Sequence, residues 1–264
     1  MQIAKINGIN IHYSDSSLKN APVIVFSNSL GTDYRIWDGL AHYLKKKFRI
    51  ICYDQRGHGL SDVGDTPYTV AQLADDLSAL LEHLEVDSAV ICGVSVGGMI
   101  AQQLAISHPE KVAGLVLCNT GSKIGMPEYW QERINDIENK GLEAIAPAII
   151  GNWFSDDFKS SRENEVDGWR NMLIRANKAG YLATCNALMT TDLTDSAYNI
   201  TVPVLCIAGN EDNVTPPKLV QEMATHMSDA TFKMIEGVGH LPCIEKPEIL
   251  AYHITEFIKE IDPS

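Results

Sequence analysis

The chain has 264 residues, enough for one large α/β domain or for a domain carrying an inserted subdomain. Its 45% hydrophobic and 21% charged residues are ordinary for a packed protein. A formal charge of −13 argues against nucleic-acid binding, which needs a basic face, and no run approaches the roughly 20 apolar residues of a membrane span.

In chain order, Ile3 to Ile6 and Ile9 to Tyr13 read as short strands split by the hairpin signal Asn7-Gly8. The opening MQIAKINGINIHYSD lacks the continuous apolar core of a secretory leader. Val23 to Phe26 (VIVF) and Arg49 to Tyr53 (RIICY) are buried-strand runs. Thr69 opens a helix whose Val70, Leu73, Leu77, Leu80, Leu81 and Leu84 share one face. Ala89 to Cys92 is a strand, Met99 to Ile106 a helix that Pro109 ends, and Val112 to Cys118 a further strand. This alternation predicts a mostly parallel sheet covered by helices.

The rhythm stops near Thr120. From there to about Asn199 the pattern is helical only: Trp130 to Glu138, Leu142 to Ile150, Val166 to Ala176 and Gly180 to Met189. Three of the four tryptophans, Trp130, Trp153 and Trp169, lie in this stretch. Strands return at Val202 to Ala208 and Thr231 to Ile235, with helices from about Pro216 and from Pro247. The expected organisation is therefore a core of residues 1–119 and 200–264, with 120–199 inserted as a helical cap over one end of the sheet. The six cysteines (52, 92, 118, 185, 206 and 243) form no C-x-x-C pair, and three sit in strand runs as small hydrophobes. A reduced, cytoplasmic protein is expected.

Between the strand Ala89–Cys92 and the helix after it lies GVSVGG (93–98), a G-x-S-x-G frame around Ser95. Short glycine patterns arise by chance, so the context decides. A strand before and a helix after are what a sharply turned nucleophilic serine requires. Phosphate binding at a helix start would need a P-loop lysine or a G-x-G-x-x-G spacing, and neither is present. A serine hydroxyl needs a base, and the base needs a third group to orient it. After the strand VLCIAG (204–209), NEDNVTPP offers Glu211 and Asp212. After TFKMIEG (231–237), VGHLP offers His240. His12, His42, His83, His108, His226 and His253 lie in strands, helices or helix ends with no partner in pattern.

The order Ser, acid, His resembles that of α/β-hydrolase-fold enzymes, and the likeness runs along nearly the whole chain. DQRGHGLS (54–61) is similar to the D-x-R-G-x-G-x-S turn of that superfamily, and GNED (209–212) followed by Pro216 is similar to its acid loop. That resemblance favours Asp212 over Glu211, and makes Arg56 and His58 structural loop residues. The chain is more specifically similar to 3-oxoadipate enol-lactonases: it carries FSNSLGTDYRIWD (26–38) where most relatives have His-Gly, together with CGVSVGGMIAQQLA (92–105), LCNTGSKIG (117–125), NWF (152–154) and GNEDNVTPP (209–217). It departs in the valines, Val94 and Val96, that flank the serine.

The resemblance implies a serine hydrolase acting on a small-molecule enol-lactone through Ser95, His240 and Asp212, with no metal or organic cofactor and no nucleic-acid or membrane partner. The backbone N–H groups of Leu30 and Val96 would hold the oxyanion. The family's substrate carries a free carboxylate, for which Arg133 is the matching cation. Trp130 and Trp153 would wall the pocket, and either Ser29 or Asn28 would hydrogen-bond the substrate. The same triad also serves carboxylesterases, carbon–carbon bond hydrolases and perhydrolases, and receptors of this fold can retain it. Dehalogenases and epoxide hydrolases are disfavoured, because they place an aspartate where this chain has Ser95.

Overall fold

The computed structural model describes residues 1–18 and 20–261. Eight strands form one sheet: β1 (Gln2–Ile6), β2 (Ile9–Asp15), β3 (Val23–Ser27), β4 (Arg49–Tyr53), β5 (Ala89–Val94), β6 (Val112–Cys118), β7 (Val204–Gly209) and β8 (Ala230–Ile235). Their order across the sheet is β1-β2-β4-β3-β5-β6-β7-β8. β1 and β2 run antiparallel, and every pairing from β4 to β8 is parallel. The middle strands β5 and β7 are buried at every residue, which explains their unbroken apolar runs. β8, at the edge, alternates and is mostly half-buried or exposed.

Flanking the sheet are α1 (Asp38–Leu44), α2 (Val70–His83) and α3 (Val96–Ser107), and later α8 (Pro217–Ala224), α9 (Pro242–Glu245) and α10 (Pro247–Ile261). The cap lies between β6 and β7 and holds α4 (Pro127–Trp153), α5 (Asp156–Ser161), α6 (Glu163–Ile174) and α7 (Lys178–Thr190). α2 begins at Thr69, whose hydroxyl accepts the Gln72 N–H as an N-cap. α4 contains a break at Gly141 (φ 79°, ψ 165°), so the two helical patterns on either side of that glycine meet as one kinked rod. Local departures from the sequence pattern include α1, α5 and α9, which are too short to show a period, and α3, which starts at Val96 instead of Met99. No helix among the described residues is long and apolar enough to cross a membrane.

In the 54–61 loop, Arg56 forms a two-bond ion pair with Asp76 (2.8 Å each), both side chains being almost fully buried. Asp54 accepts from His12 Nδ1 (2.7 Å) and from the N–H groups of Tyr34 and Leu60 (2.9 Å each). Both residues are thereby consumed in holding the loop. The order of strand addition switches sides at β3, with β4 on one side and β5 on the other while all three run parallel, and clefts in open parallel sheets form beyond the carboxyl ends of strands at such a point.

Candidate active site

Ser95 lies between the end of β5 and the start of α3 at φ 58°, ψ −123°, a conformation costing of order 1–3 kcal/mol that the surroundings must enforce. A Cβ at Gly93 would stand 2.2 Å from the Gly97 carbonyl oxygen, and one at Gly97 would stand 2.1 Å from that of Ser27. Only hydrogen fits at either place, which is the physical content of the G-x-S-x-G frame. The Ser95 N–H donates to the carbonyls of Cys118 (3.2 Å) and Asn119 (3.1 Å), and its own carbonyl accepts from Thr120 Oγ1 (2.6 Å).

Asp212 follows β7 and points at the turn after β8. Its Oδ2 accepts from His240 Nδ1 (2.9 Å), Asn119 Nδ2 (2.7 Å) and Thr215 Oγ1 (2.6 Å). Its Oδ1 accepts from the N–H groups of Val214 (2.8 Å) and Thr215 (3.2 Å). Burial alone would raise its pKa, but His240, Thr215 and Asn119 overcome that and hold it below the usual aspartate range. A carboxylate can only accept, so His240 carries its proton on Nδ1 and presents Nε2 as a base. No hydrogen bond joins Ser95 to His240 among the described residues, although both line one cavity. In free enzymes this contact is often loose and tightens with substrate bound.

The turn bearing His240 is tied to the cap. The His240 N–H donates to the Trp153 carbonyl (2.9 Å). Glu245 accepts from the Gly239 N–H (2.8 Å) with Oε1, and from the Ser155 N–H (3.1 Å) and hydroxyl (2.5 Å) with Oε2. Burial raises the pKa of Glu245 against these bonds.

The cavity is tight, about 30 Å³, room for about one or two water molecules. Ser29, Leu30, Ser95 and His240 line its floor, and Trp130, Arg133 and Trp153 line its roof with Tyr129, Ile149, Asn152, Tyr181 and Val214. Two wider clefts, about 430 and 820 Å³, open outside the 31–39 segment against α6, and neither is lined by Ser95 or His240. The N–H groups of Leu30 and Val96 have no acceptor among the described residues.

Asn28 is ruled out as a substrate contact. Its side chain is fully buried, accepting from Trp37 Nε1 (2.7 Å) and donating to the Tyr53 carbonyl (3.0 Å). Arg133 is half-buried on α4. Its guanidinium donates to the hydroxyls of Tyr181 (3.3 Å) and Tyr129, and lies 5.0 and 5.7 Å from the ring centres of Tyr129 and Trp130. It has no acidic partner among the described residues. Burial opposes its charge, but the two phenols outweigh that and raise its pKa.

Five residues at this site escaped the sequence reading. Tyr129 stands four residues before Arg133, a spacing that places both on one helix face. Thr215 stands three after Asp212 in a turn that invites such a bond. Asn119, Tyr181 and Glu245 reach the site by tertiary contacts alone and leave no local signal.

Residues 22–247 match the model of a family described as the alpha/beta hydrolase fold. The chain is 33% identical over 254 residues to 3-oxoadipate enol-lactonase 2 of Acinetobacter baylyi, covering 96% of this chain and 95% of that protein. It is 34% identical over 243 residues to 3-oxoadipate enol-lactonase 1 of the same organism, covering 92% and 91%. The crystal structure of the enol-lactonase from Burkholderia xenovorans LB400 superposes with a TM-score of 0.95 at 33% identity, over 98% of this chain and 100% of that one. With the elbow at Ser95, the eight-stranded sheet and the cap after β6 in place, the chain belongs to the α/β-hydrolase-fold family, among relatives of the 3-oxoadipate enol-lactonases.

Proposed function

We propose that this protein is a serine hydrolase that opens a small carboxylated enol-lactone, 3-oxoadipate enol-lactone, to 3-oxoadipate, in the catabolism of aromatic compounds. The observation that carries the reading is Arg133, a cation with no acidic partner among the described residues, lining the same cavity as Ser95 in a chain of charge −13. Acidic side chains are plentiful, yet this guanidinium is surrounded by phenols and an indole. A carboxylate entering the cavity would supply the missing charge in a two-bond fork. Kinship with enol-lactonases of two organisms supports the same substrate class.

In this reading Ser95 Oγ attacks the lactone carbonyl while its proton passes to His240 Nε2. Asp212 holds the imidazole and balances the imidazolium that forms. The carbonyl oxygen becomes an oxyanion facing the N–H groups of Leu30 and Val96. Collapse breaks the ring C–O bond. The enol oxygen leaves, takes the proton from His240, and stays tethered to the acyl-enzyme by the substrate's own carbon chain. Water, deprotonated by His240, releases the acid, and the enol tautomerises to the ketone. Trp130 and Trp153 wall the ring, and Ser29 offers a hydroxyl beside the reacting carbonyl. The cavity is far smaller than a lactone with a carboxymethyl arm, so entry requires the cap, taken as residues 120–199 on a core of 1–119 and 200–264, to lift. Cytoplasmic residence is part of the proposal, supported by six cysteines that are all buried and free of disulfides.

The test is loss of the enol-lactone's ultraviolet absorbance with wild type and Ser95→Ala side by side. Ser95→Ala should lower kcat by about 10⁵ to 10⁶. If wild type cleaves a short p-nitrophenyl ester but leaves the lactone intact, the triad stands and the lactone assignment falls.

A further inference from the structure

The turn Ser29–Thr32, directly after β3, contains the Leu30 donor. Gly31 occupies its third position at φ 76°, the left-handed conformation that a type II turn requires there. The Ser29 carbonyl accepts from the Thr32 N–H at 3.3 Å and from the Thr32 hydroxyl at 2.8 Å. The hydroxyl bond is the shorter, and Thr32 is 2% exposed, so water does not compete for it. A peptide group is planar and trans, with its C=O and N–H pointing opposite ways. Holding the Ser29 carbonyl therefore sets the direction of the Leu30 N–H in the same plane.

The next peptide is held as well. The Gly31 N–H donates to His58 Nε2 at 3.1 Å, while His58 Nδ1 lies 3.2 Å from the Arg56 carbonyl and donates to it. His58 is buried, and burial lowers its pKa, in keeping with a neutral ring whose Nε2 accepts. The Gly31 and Thr32 N–H groups are thus engaged, while that of Leu30 has no acceptor among the described residues.

We infer that Thr32 and His58 are positioning residues that aim the Leu30 N–H at the oxyanion of the reaction. The inference rests on the acyl-enzyme reading given above and adds what makes its backbone donor point the right way. Neither side chain touches the reacting atoms. Each acts on one of the two peptide groups adjoining Leu30, and the donor between them has no freedom to turn away.

Thr32→Val keeps the side-chain shape and deletes the hydroxyl, while Thr32→Ser keeps the hydroxyl. Because the oxyanion exists only in the transition state, Thr32→Val should lower kcat on the enol-lactone about tenfold or more, with KM within about twofold. Thr32→Ser should return to within about threefold of wild type. Thr32→Ala, which adds no bulk, carries the same expectation should the valine variant fail to fold. A second readout is the preference for a p-nitrophenyl ester over its thionoester, since C=S accepts hydrogen bonds poorly. That preference should shrink in Thr32→Val. A threonine that only stabilised the turn would slow both esters alike, and an unchanged preference overturns the inference. Ser95→Ala separates the two levels. If it still turns over, the acyl-enzyme reading fails. If it is inactive while Thr32→Val matches wild type, only the positioning role fails.

Discussion

Two charged groups of the site, Asp212 and Arg133, are held in opposite ways. Asp212, on the core side, accepts five hydrogen bonds, from an imidazole, an amide, a hydroxyl and two backbone N–H groups. Arg133, on the cap side, has two phenol oxygens, two ring faces and no anion. A saturated carboxylate is complete before substrate arrives and needs nothing from it. A guanidinium without a counter-charge is incomplete, and an anionic ligand supplies what it lacks. On the proposed function, the core would carry machinery independent of the acyl group, while the cap would carry the part that selects it.

The sharpest way to break this division is at its complete end. Asp212→Asn keeps the shape but removes the charge that opposes the imidazolium, and should lower kcat by about 10⁴ on the lactone and on an uncharged ester alike. A loss confined to the lactone would place Asp212 in substrate recognition instead. At the incomplete end, Arg133→Met should reduce kcat/KM on the carboxylated lactone about 10- to 100-fold, as expected for a charged hydrogen bond, with a much smaller loss on an uncharged ester. Equal losses on both substrates would make Arg133 a packing residue of the cap. The smallest effect is on stability. The folded pKa of Asp212 lies below its unfolded value of about 3.9, so its contribution is full above that value and is lost as pH falls through the folded one. The gap in urea midpoint between wild type and Asp212→Asn should therefore narrow from pH 5 toward pH 3. A constant gap would show that the carboxylate's charge contributes nothing to folding.

Much of the core half of the site is legible in the sequence because its residues follow readable strands, β5 and β7 as unbroken apolar runs and β8 as an alternating one. Ser95, Asp212 and His240 each follow such a run by a few residues, and the structure brings them to one end of one sheet. The cap half was legible only in part. Arg133 and Trp130 share a helix with a readable period, but Tyr181 arrives from α7, 48 residues further on, and no spacing rule predicts that meeting. The start of α3 was misplaced for a related reason. Val96-Gly97-Gly98 has poor helix propensity, and the first turn forms there because the close approach to β3 and the turn at Ser95 impose it. Asn28 looked available for substrate until the fold showed its amide spent on Trp37 and Tyr53.

The bonds between residues 153–155 and the His240 turn bear on how freely caps can be exchanged among enzymes of this architecture. The His240 peptide N–H has its acceptor in the cap, at the Trp153 carbonyl, and Glu245 holds Ser155 and Gly239 with one carboxylate. A foreign cap grafted between β6 and β7 would remove the backbone partner of His240 along with the cap residues that line the cavity. To keep these bonds, a chimera would have to reproduce the backbone at residues 153–155, where α4 ends, together with the Ser155 side chain, so this short stretch inside the cap belongs with the His240 turn rather than with the exchangeable helices around it.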